Sequence, residues 1–384
     1  MRILFCTPAP LMKSLGAAKV VVELAEEMQE LGWDCDLVSI RDLADQRRLS
    51  MSESLRHHLL EHAANYDVVD YDHEYLPYPR SEFSPQPLFV ARSVLLVHHL
   101  ETIRIPEPTG IKAVAGKFLH GRTRQLKRQA MIQNAQATVQ EAELINVSNE
   151  DDKAELMRKG TAAKKIVVIP FGISQSRRPL FDKVSSVPPE QPMVGFVGTF
   201  DYRKGAREFP AILQGIVKAV PRVRFRLLGT AGMFQTDTEV LAHFSPILRH
   251  KIEVMPRYHP EELPKLLSTC SVGIFPSHLE GFGFGILEML AASVPVIAYD
   301  APGPPMMLSP HHLVKKGDAR AMSDKVIALL RNKSQLQVAR IWAKERSQDF
   351  SWECAARATH EIYSKHLHTK INTLALNSNL LCGY

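Results

Sequence analysis

The chain has 384 residues, 45% apolar and 23% charged, with 47 Lys and Arg against 41 Asp and Glu for a formal charge of +6. This length and composition exclude a disordered, collagenous or coiled-coil chain and suit two domains, each able to bury its own core. Nothing approaches about 18 consecutive apolar residues, so no spanning helix is expected, and the apolar start turns polar at Thr7-Pro8, too soon for a signal peptide. The five cysteines (Cys6, Cys35, Cys270, Cys354, Cys382) include no CxxC pair. That argues against a disulfide framework or zinc site and for a reducing, cytoplasmic setting.

Arg2–Cys6 reads as a strand, and Ala17–Leu31 as a helix with Val20, Val21, Leu24, Met28 and Leu31 on one face and Gly32 as its stop. Further strands are expected at Cys35–Ile40, Tyr66–Asp70, Ser93–Val97, Leu144–Ser148 and Ile166–Ile169, with a helix over Arg122–Glu143. Residues 174–192 are rich in Pro, Ser and charge without periodicity and read as a linker. The alternation then restarts. Strands are expected at Met193–Val197, Arg222–Leu228, Ile252–Val254, Val272–Phe275 and Val294–Ala298. Helices are expected at Arg207–Val220, Thr238–Arg249, Pro260–Ser268, Phe284–Ala292, Ala319–Arg331, Ser334–Arg346 and Trp352–His366. Short apolar runs joined by helices predict an α/β fold of two Rossmann-like parallel-sheet domains, residues 1–173 and 193–350. Residues 351–368 then form a last helix and 369–384 a tail.

Ligands of such sheets bind beyond the carboxyl ends of strands. After Met193–Val197 comes Gly198-Thr-Phe-Asp-Tyr-Arg203-Lys204-Gly205, which puts two cations where a diphosphate could sit, unless it is an ordinary basic turn. It matches neither GxGxxG nor GxxxxGK[ST], so a dinucleotide dehydrogenase or P-loop NTPase gains no support. After Val272–Phe275 comes Pro276-Ser-His-Leu-Glu280-Gly281-Phe282-Gly283-Phe-Gly-Ile-Leu-Glu288. Its glycines directly precede a helix, which suits amides aimed at an anion. Glu280 and Glu288 are spaced to face one cleft. There a carboxylate can take two neighbouring hydroxyls, as for a ribose, and a hydrolase acid/base pair is the other reading.

Glu280 and Glu288 within Pro-Ser-x-x-Glu-Gly-Phe-Gly, followed by Pro295-Val-Ile-Ala, resemble the signature of retaining GT-B glycosyltransferases of family 4, the glycosyl transferases group 1. The resemblance extends to the glycine loop at Gly16, Val147-Ser148, Val168-Ile-Pro-Phe-Gly172, Gly198…Arg203-Lys204-Gly205 and Phe350-Ser-Trp352. It implies two domains facing across a cleft, the first for acceptor and the second for donor, with the last helix returning to the first. It implies that Lys204, with Arg203, clamps the donor diphosphate, and that Glu288 holds the ribose. Glu280 then meets the transferred sugar, with Gly198 and the Gly281-Phe282-Gly283 amides beside the donor. Met255-Pro-Arg-Tyr-His259 falls near the base. Among the histidines of Val97-His98-His99, His98 is the one the resemblance puts beside the donor sugar, and Gly16 brings backbone toward the reacting groups. The chain departs from the family at Thr199, where arginine is commonest, and at Pro302-Gly-Pro-Pro-Met-Met307.

The activity implied by the resemblance is a retaining transfer of a sugar from a nucleotide diphosphate sugar to an acceptor hydroxyl. It needs no metal or other cofactor, and serves glycan, polysaccharide or glycolipid synthesis. A sugar phosphorylase or nucleotide-sugar epimerase on the same fold, or a non-catalytic nucleotide-sugar-binding subunit, are the alternatives. Asp70-Tyr-Asp72 matches a metal-binding DxD only weakly. Ile111–Ala130 carries Lys112, Lys117, Arg122, Arg124, Lys127 and Arg128 and no acid, a block equal to the whole net charge. Ile111, Val114, Phe118, Leu119 and Leu126 are interleaved, so an amphipathic face on an anionic membrane and a lipid-linked acceptor are expected, with a solvated helix face or a site for an anionic soluble acceptor as the other readings; nucleic acid is not expected.

Overall fold

The computed structural model describes residues 1–12, 16–106 and 111–381, without the side chains of 16–17, 111–121 and 377–381. Its contacts divide into two units. The first is Met1–Leu100, Phe118–Gly172 and Trp352–Tyr384, and the second is Glu101–Lys117 and Ile173–Ser351.

The first unit carries six strands: β1 (Arg2–Thr7), β2 (Asp34–Ser39), β3 (Val68–Asp72), β4 (Leu88–Arg92), β5 (Leu144–Val147) and β6 (Ile166–Val168). They pair all-parallel in the order β2-β1-β3-β4-β5-β6. The order reverses between β1 and β3, so their carboxyl ends form the sheet's switch point. The fourth strand lies at Leu88–Arg92 and not at Ser93–Val97. Arg92 ends it fully buried because Asp70 of β3 takes its charge, while Val97–Glu101 forms a 3-10 turn. Sequence periodicity also misses the helices Ile40–Arg47 and Met51–His62. These start on the side-chain caps of Ser39 and Ser50 rather than on an apolar stripe.

The second unit carries β7 (Met193–Val197), β8 (Arg224–Leu228), β9 (Ile252–Met255), β10 (Val272–Phe275), β11 (Val296–Asp300) and β12 (Leu313–Lys315). The order is β12-β11-β10-β7-β8-β9, again parallel throughout. The reversal here falls between β7 and β10. Every residue of both strands is buried, as strands covered on two faces require. The helix expected over Thr238–Arg249 is two short pieces, Asp237–Leu241 and Pro246–Arg249, because Pro246 begins a new turn. The Pro- and Ser-rich stretch expected as a linker groups with the second unit and holds a short helix, Arg178–Asp182.

The last helix runs from Trp352 to Leu381, well past His366. Tyr363 on it donates to Asp70 Oδ2 at 2.6 Å and receives Arg92 Nη2 at 3.2 Å and Asn146 Nδ2 at 3.0 Å. Lys370, in the segment assigned from sequence to the tail, bonds both Glu143 carboxylate oxygens at 2.6 and 2.8 Å. Buried polar links therefore seat this helix on the first sheet.

Candidate donor site

The loops after β7 and β10 meet at the second switch point. Lys204 Nζ lies 2.8 Å from Glu280 Oε1, and Arg203 Nη1 lies 3.1 Å from the same oxygen and 2.7 Å from the Leu279 carbonyl. Glu280 is 6% exposed. Burial pushes its carboxyl up, but Lys204 and then Arg203 outweigh that and hold it below its ordinary value. Lys204 Nζ also stands 5.1 Å over the Phe275 ring. The pair of cations and the carboxylate expected from sequence are thus in one cluster, with Glu280 already engaged as the counter-charge of both.

Backbone contacts hold the cluster in register. The His278 amide donates to the Arg203 carbonyl at 2.8 Å, and His278 Nε2 meets Glu208 Oε1 at 3.0 Å. Gly205 has φ +86°, and a Cβ there would lie 2.4 Å from the Pro276 carbonyl oxygen, so only glycine lets the two loops touch. Gly283 is the N-cap of the Phe284–Ala291 helix. A Cβ on Gly285 in its first turn would fall 2.2 Å from the Val197 carbonyl oxygen, which sets the helix start directly against the end of β7. Gly198 follows β7, its amide donating to the Leu228 carbonyl at 2.9 Å. The Pro302–Gly303 loop packs beneath: the Glu280 amide donates to the Pro302 carbonyl at 3.1 Å. Its role there is to brace Glu280.

Glu288 sits about one turn along the same helix, 8% exposed among buried Ile286, Leu287, Met289 and Leu290. Its Oε1 is 2.9 Å from Arg177 Nη1. Sequence inspection does not single out Arg177, Glu208 or His278. Arg177 lies in a stretch without periodicity and 111 positions from its partner.

His98 and Gly16 belong to the first unit, the other named residues to the second. Gly16 opens the helix Gly16–Glu30. His98, fully buried, faces His73 with ring centroids 6.2 Å apart. His99 Nε2 meets buried Asp152 Oδ1 at 2.8 Å, and burial pushes the Asp152 carboxyl up. These groups line the carboxyl ends of β3, β4 and β5. Asp70 of the DxD match is spent on Arg92 (3.0 and 2.6 Å) and Tyr363. Among the described residues, Asp72, His73 and Glu74 form the one three-ligand cluster of metal-binding size. There the Val97 amide lies 3.5 Å from His73 Nε2, and His73 Nδ1 lies 3.5 Å from Asp72 Oδ1. Burial alone would lower the His73 pKa, but Asp72 raises it overall; burial raises Glu74 to about 7.

Of the basic block, residues 122–130 are exposed without exception, Leu126 included at 59%. They form no apolar stripe; Ile111, Val114, Phe118 and Leu119 lie outside the described side chains. No described helix is long and apolar enough to cross a membrane.

Residues 177–346 match the family of glycosyl transferases group 1. The uncharacterized glycosyltransferase MJ1178 of Methanocaldococcus jannaschii is 27% identical over 173 residues, 44% of this chain and 47% of that one. The chain spans about half the length of the curated relatives it matches. Among solved structures, sucrose-phosphate synthase from Thermosynechococcus elongatus superposes with a TM-score of 0.69 at 18% identity, over 96% of this chain and 99% of that one. Anabaena Alr3699/HepE, in complex with UDP and glucose, gives 0.65 at 15% identity, over 94% and 99%.

Proposed function

We propose, from the match of residues 177–346 to the glycosyl transferases group 1 and from the likeness of the whole fold to solved glycosyltransferases, that the protein is a retaining glycosyltransferase. It moves a sugar from a nucleotide diphosphate sugar to an acceptor hydroxyl in glycan, polysaccharide or glycolipid synthesis. The observation that carries this reading is the junction of Arg203, Lys204 and Glu280 at the switch point of the second sheet. Two fixed cations in a largely water-excluded site stabilise the charge that grows on a leaving diphosphate, without reorganising at the moment of reaction. Glu280 orients both cations and accepts hydroxyls of the transferred sugar. Glu288 accepts the ribose hydroxyls, as an acidic residue does in dinucleotide-binding folds. The acceptor proton goes to the departing phosphate, so no side chain is named as base. The complex of Alr3699/HepE with UDP and glucose supports a nucleoside diphosphate and a hexose as donor chemistry.

The exposed Arg122, Arg124, Lys127 and Arg128 add a second element. Near an anionic leaflet each cation contributes about 1 kcal/mol. We place the enzyme on the cytoplasmic membrane face, held by charge, with a lipid-linked acceptor.

The test incubates the protein with UDP-, GDP- and ADP-sugars, with and without a lipid-linked glycan acceptor, and tracks nucleoside diphosphate release. Acceptor-dependent release that survives excess EDTA is expected. Release driven by inorganic phosphate would make the protein a phosphorylase, and sugar interconversion without release an epimerase. Donor binding without turnover would leave a non-catalytic subunit. A loss of more than about tenfold on chelation would overturn the metal-free mechanism.

A further inference from the structure

We propose that Arg177 is the positioning residue that holds the Glu288 carboxylate for recognition of a nucleotide's ribose diol, an inference that rests on the donor-site reading above. Glu288 is the single acid on a helix whose neighbours Ile286, Leu287, Met289 and Leu290 are all buried. Burying a carboxylate in such surroundings without a charged partner is costly. Arg177 supplies that partner. Its Nη1 lies 2.9 Å from Glu288 Oε1, and the two side chains are 12% and 10% exposed.

The guanidinium is itself fixed from other sides. Nη2 lies 3.4 Å from the Pro260 carbonyl, just past the Met255–His259 segment, and the group stands 5.5 Å over the Phe181 ring. Its Nε is buried with no hydrogen-bond partner. A purely structural arginine would be expected to satisfy that N–H, as the fully buried Arg340 does with its Nε on the Ser186 carbonyl. The fork of Arg177 is instead turned so that Nη1 serves Glu288. The same guanidinium bridges the ribose-side carboxylate to the carbonyl closing the base-side loop. One side chain therefore sets the direction of Glu288, without touching substrate.

The experiment is calorimetry with UDP or GDP, whichever binds the parent protein, against its 2′-deoxy counterpart. A charged acceptor facing the diol gives the parent about 10- to 100-fold preference for the ribonucleotide. In Arg177→Met that preference falls to within about threefold, by loss of ribonucleotide affinity with deoxynucleotide affinity unchanged. Arg177→Lys keeps the charge without the fork and retains an intermediate ratio; it also serves if the methionine variant does not fold. Equal weakening of both nucleotides, or an undiminished ratio, makes Arg177 a structural staple and overturns the inference. Tighter ribonucleotide binding in Arg177→Met would show that it competes for Glu288, and overturns it too. Glu288→Ala separates the two levels: if it leaves the parent ratio intact, Glu288 does not read the ribose and the underlying donor-site assignment fails. If it removes the ratio while Arg177→Met does not, only the role of Arg177 fails.

Discussion

Replacing Glu280 by glutamine separates the two duties of that carboxylate. Its side chain is 8% exposed and serves Lys204 and Arg203, themselves 13% and 25% exposed. Removing one partner of a fully buried ion pair costs about 3–5 kcal/mol. Both cations here keep some water and glutamine keeps a carbonyl for Lys204, so the expected loss is about 2–3 kcal/mol. For a unit of this size that lowers Tm by roughly 5–10 °C. The pH dependence fixes the sign. The folded carboxyl lies below its ordinary value of 4.5, so its contribution is complete above that pH and is lost as pH falls through the folded value. Parent and variant should therefore differ fully at pH 7 and converge as the pH falls below 4.5. Nucleoside diphosphate binding should move the other way, holding steady or tightening up to about tenfold, because Lys204 and Arg203 no longer share their charge with Glu280. Turnover should collapse. Thermal scans across pH, with calorimetry at pH 7, read both quantities. An unchanged Tm together with a tenfold weaker diphosphate would refute the reasoning, since Glu280 would then be a ligand of the nucleotide and not the counter-charge of the cations.

Asp70→Asn should cost about 3–5 kcal/mol by stranding buried Arg92, and Tyr363→Phe about 1–3 kcal/mol, both read by denaturant unfolding; unchanged midpoints would contradict the buried latch on the last helix. Burial raises Glu74 to about 7, so the folded state holds its proton where the unfolded chain has released it, and stability falls as pH rises from about 4.5 to 7. Glu74→Gln should therefore gain about 1–3 kcal/mol over the parent at pH 8 and nothing at pH 4; parallel stability curves would contradict it. Gly285→Ala drives a Cβ onto the Val197 carbonyl and should cost about 1–3 kcal/mol along with donor affinity, whereas a normal melt with normal binding would deny the close helix-to-strand contact. Glutamine at Arg122, Arg124, Lys127 and Arg128 should abolish salt-sensitive sedimentation with anionic vesicles while donor affinity stays constant; equal pelleting would refute the membrane placement.

The parts of the fold legible in the sequence are those where burial is uniform. Met193–Val197, Val272–Phe275 and Ala319–Arg331 are legible to the residue, because unbroken apolar runs and a clean helical stripe leave one interpretation. Leu88–Arg92 is not, since a charged arginine argues against a strand buried on both faces until Asp70, distant in sequence, is seen to take its charge and Tyr363 to accept a hydrogen bond from it. The same holds for the site. Glycine and cation patterns place Arg203, Lys204 and Glu280 near one another because both loops leave adjacent parallel strands. What periodicity cannot convey is who pairs with whom. That Glu280 binds both cations, that Arg177 reaches Glu288, and that His99 rests on Asp152 are facts of tertiary contact.

The central claim is that Arg203 and Lys204 form a diphosphate site. Isothermal calorimetry of UDP and GDP against the parent protein and Lys204→Met, without divalent metal, tests it most directly. The account requires that at least one nucleotide binds the parent and that Lys204→Met weakens it about 10- to 100-fold, the worth of a charge-assisted hydrogen bond. Equal affinity in parent and variant, or no binding of either nucleotide to the parent, would contradict it.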